Sequence, residues 1–277
     1  MYFKRLFTVM LCMLAIAVCD AQDLKKELVW SDEFDYKGLP DASKWDYEVG
    51  YVRNKEAQYY TKQRKKNASV KKGYLTIQAV TDKFKNPGFK EGSDDWRKKD
   101  EYVACTSASI ITEKLMGQQY GRVEVRAKLP AGKGVWPAIW MMGTDRSKVG
   151  WPRCGEIDIM EYVGKDANTI YGTIHYADKD GKYGKNGGNV KKVTPTDGFH
   201  VYAIEWHEDR IDFFYDDTKY HTSWLNKLPE GAGDRFRKPF YLLINLAMGG
   251  SWGGEIDPAV YPVEYIIDYV RVYDLKE

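Results

Sequence analysis

The chain has 277 residues, of which 43% are hydrophobic and 14% aromatic, including 9 Trp and 21 Tyr. That length holds one large β domain or two small ones. A formal net charge of +2 excludes a polyanion such as nucleic acid as the default partner, and beyond Val18 no apolar run approaches membrane-spanning length.

At the start, Lys4 and Arg5 precede an apolar run from Leu6 to Val18, too short to span comfortably and typical of an export signal. Cys19-Asp20-Ala21 offers cleavage after Ala21, so residues 1–21 read as a signal peptide and 22–277 as one domain. Cys19 is also a candidate for lipid modification, although Val18 is a poor match to that processing. Either route exports the protein to the periplasm, the cell surface or the medium. Cleavage leaves Cys105 and Cys154, and whether they pair stays open. Cys154 has no evident His partner and reads as a small packed thiol.

Short runs of alternating or β-branched residues follow: Tyr74–Val80, Ala108–Ile111, Gly121–Leu129, Thr169–His175, His200–Glu205, Arg210–Tyr215, Phe240–Ala247 and Tyr265–Tyr273. Gly, Pro, Asn and Asp punctuate them, which is the pattern of an all-β sandwich or jelly roll. Leu225 to Leu228 is the length of a single helical turn. The Lys-rich stretch Asp82–Asp100 reads as a solvated loop or the border of a groove, and glycine-rich Asp178–Gly188 as a mobile loop near a cleft.

The segment Gly155-Glu-Ile-Asp-Ile-Met-Glu-Tyr162 carries the chemistry. Side chains alternate along a strand, so Glu156 and Asp158 share one face while Ile157 and Ile159 take the other. Glu161 is out of phase, and a β-bulge around Ile159-Met160 returns it to the acidic face. Such a row does not stabilise a sheet. Glutamates leaning together reach a separation of roughly 5–6 Å, the range for a nucleophile and a general acid in a retaining glycoside hydrolase. Three close carboxyls cannot all ionise, so at least one pKa is expected to rise. No His/Cys/Asp spacing matches a catalytic metal site.

Several segments then converge in order. They are Val29-Trp-Ser-Asp-Glu-Phe34, Gly50-Tyr-Val-Arg-Asn-Lys-Glu-Ala-Gln-Tyr-Tyr-Thr61, Tyr120-Gly-Arg-Val-Glu-Val-Arg-Ala-Lys-Leu-Pro130 and Gly134-Val-Trp-Pro-Ala-Ile-Trp-Met-Met-Gly143. With the acidic segment, Asn245-Leu-Ala-Met-Gly-Gly-Ser-Trp252 and Ile267-Asp-Tyr-Val-Arg-Val-Tyr273, they resemble glycoside hydrolase family 16, especially its laminarinase-type bacterial β-glucanases. The resemblance implies a concanavalin A-like β-jelly roll with a concave substrate cleft. It also implies endo cleavage of β-glucans containing 1,3-linkages, either laminarin or mixed-linkage 1,3-1,4-glucan. Glu156 would be the nucleophile, Glu161 the acid/base and Asp158 the helper between them.

The same resemblance puts Trp136, Trp140, Trp151 and Trp252 along the subsites and Asn54 and Asn245 on glucose hydroxyls. His175 falls close to the acid/base. Glu124 and Arg126 alternate with Val123 and Val125, so both are expected on the concave side, matching an acid-and-arginine pair near the donor subsites. A structural calcium in relatives maps onto Glu33, Gly73 and Asp268; no other cofactor is implied. The expected partner is the polysaccharide alone, bound by a monomer. Gly50-Tyr-Val-Arg-Asn54 departs from the Gly-Trp-Gly-Asn-Asn type common in laminarinases, which leaves the linkage preference open. Agar- or carrageenan-cleaving relatives, transglycosylation and a non-catalytic glycan-binding protein are the other readings.

Overall fold

Alternating apolar residues build most elements of the structure, a computed structural model that describes residues 25–276. The signal-peptide reading of residues 1–21 and the lipidation reading of Cys19 lie outside the described residues. In chain order the strands are β1 (Lys25–Asp32), β2 (Asp46–Tyr47), β3 (Gln58–Tyr60), β4 (Ala68–Lys71), β5 (Tyr74–Ala79) and β6 (Cys105–Ser107). Next come β7 (Ser109–Ile111), β8 (Gly121–Lys128), β9 (Val135–Gly143), β10 (Glu156–Glu161), β11 (Thr169–Ala177) and β12 (Tyr183–Lys191). The last are β13 (His200–Trp206), β14 (Arg210–Tyr215), β15 (Thr218–Trp224), β16 (Phe240–Met248) and β17 (Val263–Lys276). Leu225–Lys227 forms the expected single turn, of 3-10 type.

Two antiparallel sheets stack. One runs β15-β14-β13-β8-β17-β5-β4 with β1 also on β17, and the other β12-β11-β10-β9-β16-β7-β2. Between them lies a core of Val123, Val125, Ile139, Met141, Ile157, Ile159, Ile204, Phe213, Leu242, Ile244 and Tyr265, among others. Each large apolar side chain buried there contributes roughly 1.5–3 kcal/mol. The same alternation turns Trp136, Ala138, Trp140 and Met142 of β9 to the outer face of the second sheet, where they pack with Tyr241, Leu243 and Ala247 of β16. That outer face is the floor of a cleft.

Two expectations are corrected. Glu124 and Arg126 do alternate with core valines, but β8 belongs to the sheet opposite the cleft. Their side chains leave that sheet on its far face, where Glu124 accepts from Arg122 at 2.7 Å and Arg126 pairs with Asp268. They take no part in the cleft. Secondly, the glycine-rich stretch expected as a loop is largely strand β12, paired in register with β11 from Thr169↔Lys191 to Ala177↔Tyr183. The Asp82–Asp100 stretch is a loop, ordered by buried Asn86. The Asn86 amide donates to the carbonyls of Arg97 and Asp100 and accepts from Gly88 N–H. Cys105 and Cys154 are both free and buried, and burial pushes each thiol up to about 11. They are packed thiols rather than a disulfide.

Candidate active site

The bulge expected in β10 is present. Against β9 the register runs Glu156↔Met142, Ile157↔Met141, Asp158↔Trp140, then skips to Met160↔Ile139 and Glu161↔Ala138. Ile159 and Met160 both enter the core, and Glu161 returns to the face of Glu156 and Asp158. All three carboxyls line a cleft of ≈ 300 Å³ with Trp136, Trp140, Trp151 and Asn245. Gly155, at φ 79, swings the chain from the preceding loop into β10. A Cβ there would sit 2.8 Å from the Phe240 ring. The turn carries Trp151 back over Glu156, so that its indole N–H donates to Glu156 Oε2 at 2.8 Å.

Each carboxyl has its own partners. Glu161 Oε1 accepts from the Trp136 indole at 3.1 Å. Asp158 is 3% exposed and lies beside Glu156 on the same face of the strand. His175, opposite Glu156 on β11, brings Nε2 to 3.0 Å from Asp158 Oδ2 and 4.0 Å from Glu156 Oε1. The other ring nitrogen meets the Tyr183 hydroxyl at 2.7 Å. Trp151 is 49% exposed and, with Tyr183, forms an aromatic wall on this side. These two rings are free to take a sugar face (compare).

Burial and the charge of Asp158 push Glu156 up to about 8, while His175 and the Trp151 hydrogen bond pull it back down. Burial pushes Asp158 up to about 7. Glu161 rises well above the ordinary carboxylate range, first through burial and then through the charge of Asp158. Glu156 has a donor, a histidine and Arg53 nearby, whereas Glu161 has one indole and two carboxylates. All three carboxyls are harder to ionise than usual, and Glu161 is the hardest of them. That is the order a nucleophile and a general acid require.

On the other side of β10 the expected sugar contacts are partly spoken for. Asn245, 4% exposed, accepts from the Trp140 indole at 2.7 Å and donates to Tyr60 Oη at 2.9 Å. The Asn54 amide donates to Glu56 Oε1 at 3.1 Å. Trp136 and Trp140 are nearly buried, each fixed by its N–H, and Trp252 packs edge-on against Trp136 and Tyr171. Arg53, Glu56, Arg146 and Tyr183 are site residues the sequence reading missed. Arg53 carried one signal, the departure of its segment from the laminarinase type.

Two places have cation-ligating chemistry. Glu156, Asp158 and His175 offer atoms within 4.8 Å of one another, a grouping invisible in linear spacing because His175 comes from the next strand. The expected calcium residues Glu33, Gly73 and Asp268 share a shallow pocket on the opposite sheet. There Arg271 holds the Glu33 carboxylate at 2.8 and 3.0 Å, and Arg126 holds one oxygen of Asp268. Glu33 follows the end of β1, Gly73 occupies the β4–β5 turn, and the β17–β8 ladder skips Asp268. With both carboxylates held by arginines, the second Asp268 oxygen is the one carboxylate oxygen of the three residues that has no arginine partner and is open to a hard cation.

Known proteins share this fold. A 44% identical relative, the β-glucanase of Rhodothermus marinus, aligns over 259 residues, 89% of this chain and 85% of its own. The solved laminarinase of the same organism superposes with a TM-score of 0.78 at 40% identity, covering 92% of this chain and all of that one. A structure described among endo-acting O-glycanases that human gut bacteria express to initiate mucin breakdown gives a TM-score of 0.82 at 39% identity, covering 91% and 92%. The family model of glycosyl hydrolases family 16 matches residues 55–271, and the chain belongs to that family.

Proposed function

We propose that the protein is a retaining endo-glycoside hydrolase that cleaves β-glucans containing 1,3-linkages, in laminarin or in mixed-linkage 1,3-1,4-glucan. The observation that carries this reading is the bulged row of Glu156, Asp158 and Glu161 on the floor of a Trp-lined cleft. Glu156 attacks the anomeric carbon while protonated Glu161 donates to the departing glycosidic oxygen. Water, deprotonated by Glu161, then releases the sugar from Glu156. Asp158, beside Glu156, tunes its charge, and His175 backs Asp158. The names of the Rhodothermus enzymes support the glucan. A mucin O-glycan is the second reading, favoured by the O-glycanase neighbour. A calcium ion at Glu33, Gly73 and Asp268 belongs to the proposal as a structural element only, and no step of the chemistry involves it.

The test is a digest of laminarin, barley glucan, lichenan, carboxymethylcellulose, agarose and mucin O-glycans, read by mass spectrometry with linkage analysis. The anomeric configuration of the first product is followed by NMR. Oligosaccharides released from the 1,3-containing glucans with the β-configuration kept are expected. Glu161→Gln is expected to lose about 10²–10⁴-fold in kcat. Inverted products, or a fully active Glu161→Gln, would remove the double-displacement reading; release from mucin glycans alone would move the substrate.

A further inference from the structure

Trp140 has the position of a sugar platform on the cleft floor, yet its ring face is not open. The guanidinium carbon of Arg53 lies 4.8 Å from the ring centroid. The indole beneath cannot turn away, because its N–H is bound to Asn245. Arg53 cannot swing off easily either. Its guanidinium is ion-paired with Glu48, whose carboxylate also accepts from Ser109 Oγ at 2.7 Å. The Arg53 side chain is still 21% exposed and lines the cleft.

The backbone that aims Arg53 is strained. Asn54 and Lys55 both have left-handed φ values, 56° and 52°, without being glycine. The turn is held by Glu56 N–H on the Arg53 carbonyl at 3.2 Å and by Ser251 N–H on the Asn54 carbonyl at 2.9 Å. The Asn54 amide on Glu56 closes it. Strain of this kind persists where surrounding structure enforces it, and it clusters at ligand-binding positions.

We propose that Arg53 is a specificity-determining residue. It roofs Trp140 and receives the sugar ring on this arm of the cleft by hydrogen bonds instead of by stacking. A guanidinium has five N–H donors in a fixed fork, and Glu48 uses only part of it. The remaining donors, on a side chain that lines the cleft, suit neighbouring hydroxyls of a neutral pyranose. The two arms then bind by different physics, a wall of open rings at Trp151 and Tyr183 and a charged fork at Arg53. The proposal rests on the glycan-hydrolase reading, since it names how that cleft selects its chain.

The test uses whichever polymer of the panel the wild type cuts fastest, so wild-type turnover reports on the glycan reading and the variant-to-wild-type ratio on Arg53. Arg53→Met and Arg53→Gly are expected to raise KM by about 10- to 100-fold, the loss expected for hydrogen bonds to a charged donor. In both, kcat falls by much less than KM rises, and the product pattern shifts toward other bonds of the same polymer. The acid limb of the pH profile moves up because Glu156 loses a nearby positive charge, and the melting temperature drops because Glu48 loses its partner. Arg53→Lys keeps the charge without the fork and is expected to fall between. An unchanged KM and product pattern would overturn the proposal. So would a fall in kcat and melting temperature with KM unmoved, which marks a residue that only supports the fold.

Discussion

Glu161 keeps its proton because burial and the neighbouring Asp158 both oppose its ionisation, and that has a thermodynamic signature. An unfolded glutamate ionises near about 4.3, whereas folded Glu161 does so only at much higher pH. Between those values the folded state binds more protons than the unfolded chain, so this residue removes stability as pH rises. Glu161→Gln has no such titration. Its melting temperature is expected to exceed that of the wild type at pH 8, by about 2–4 °C per kcal/mol relieved, and the difference is expected to vanish at pH 4. A gap that does not change with pH would contradict the assignment. The three acids were legible in the sequence because chemistry and strand period pointed to the same residues. The roles of Trp140 and Asn245 were not, since each is decided by the other across β9 and β16, and by Tyr60 from β3, remote in sequence. No local pattern encodes that a ring or an amide is already satisfied.

The bulge of β10 is the element-scale device, and its parity can be tested. Deleting Ile159 leaves Glu, Asp and Glu at alternate positions, so all three stay on the cleft face and Tyr162 still enters the core. Inserting one alanine after Met160 turns the glutamate inward and every following residue with it. The deletion is expected to fold, losing about 2–5 kcal/mol for the missing core side chain, and to retain activity above that of Glu161→Gln. The insertion is expected to lose both activity and a cooperative melt. Equal behaviour of the two, by activity and circular dichroism, would show that the bulge does not set the face. Elements with clear alternation were found by sequence, and the largest boundary shift extends the last strand from Tyr273 to Lys276. Two failures share a cause. Alternation in β8 identified the faces of Glu124 and Arg126 but not the sheet they belong to, which depends on pairing with β13 and β17. Glycines in β12 suggested mobility, yet they are there for close approach. A Cβ at Gly184 would lie 2.4 Å from the Tyr176 ring, and one at Gly188 would lie 2.6 Å from His221.

Across the whole molecule, the pocket of Glu33, Gly73 and Asp268 joins the end of β1, the β4–β5 turn and the middle of β17, so a cation there would tie together segments remote in sequence. Calcium at millimolar concentration is expected to raise the melting temperature by several degrees over the value in EDTA, through binding the folded state alone. Asp268→Asn is expected to abolish the shift while turnover well below the melt is unaffected. An unchanged melt in calcium would remove the ion from the proposal. The fold class was readable from punctuation and composition; this pocket came from resemblance alone, because its residues are remote from one another in sequence. The pairing of β1 with β17 reaches further. Lys25 and Lys276 are direct antiparallel partners, so both ends of the described chain lie side by side in the sheet opposite the cleft. An affinity handle or a second module added at either end is therefore attached through the sheet that does not carry Glu156, Asp158 and Glu161.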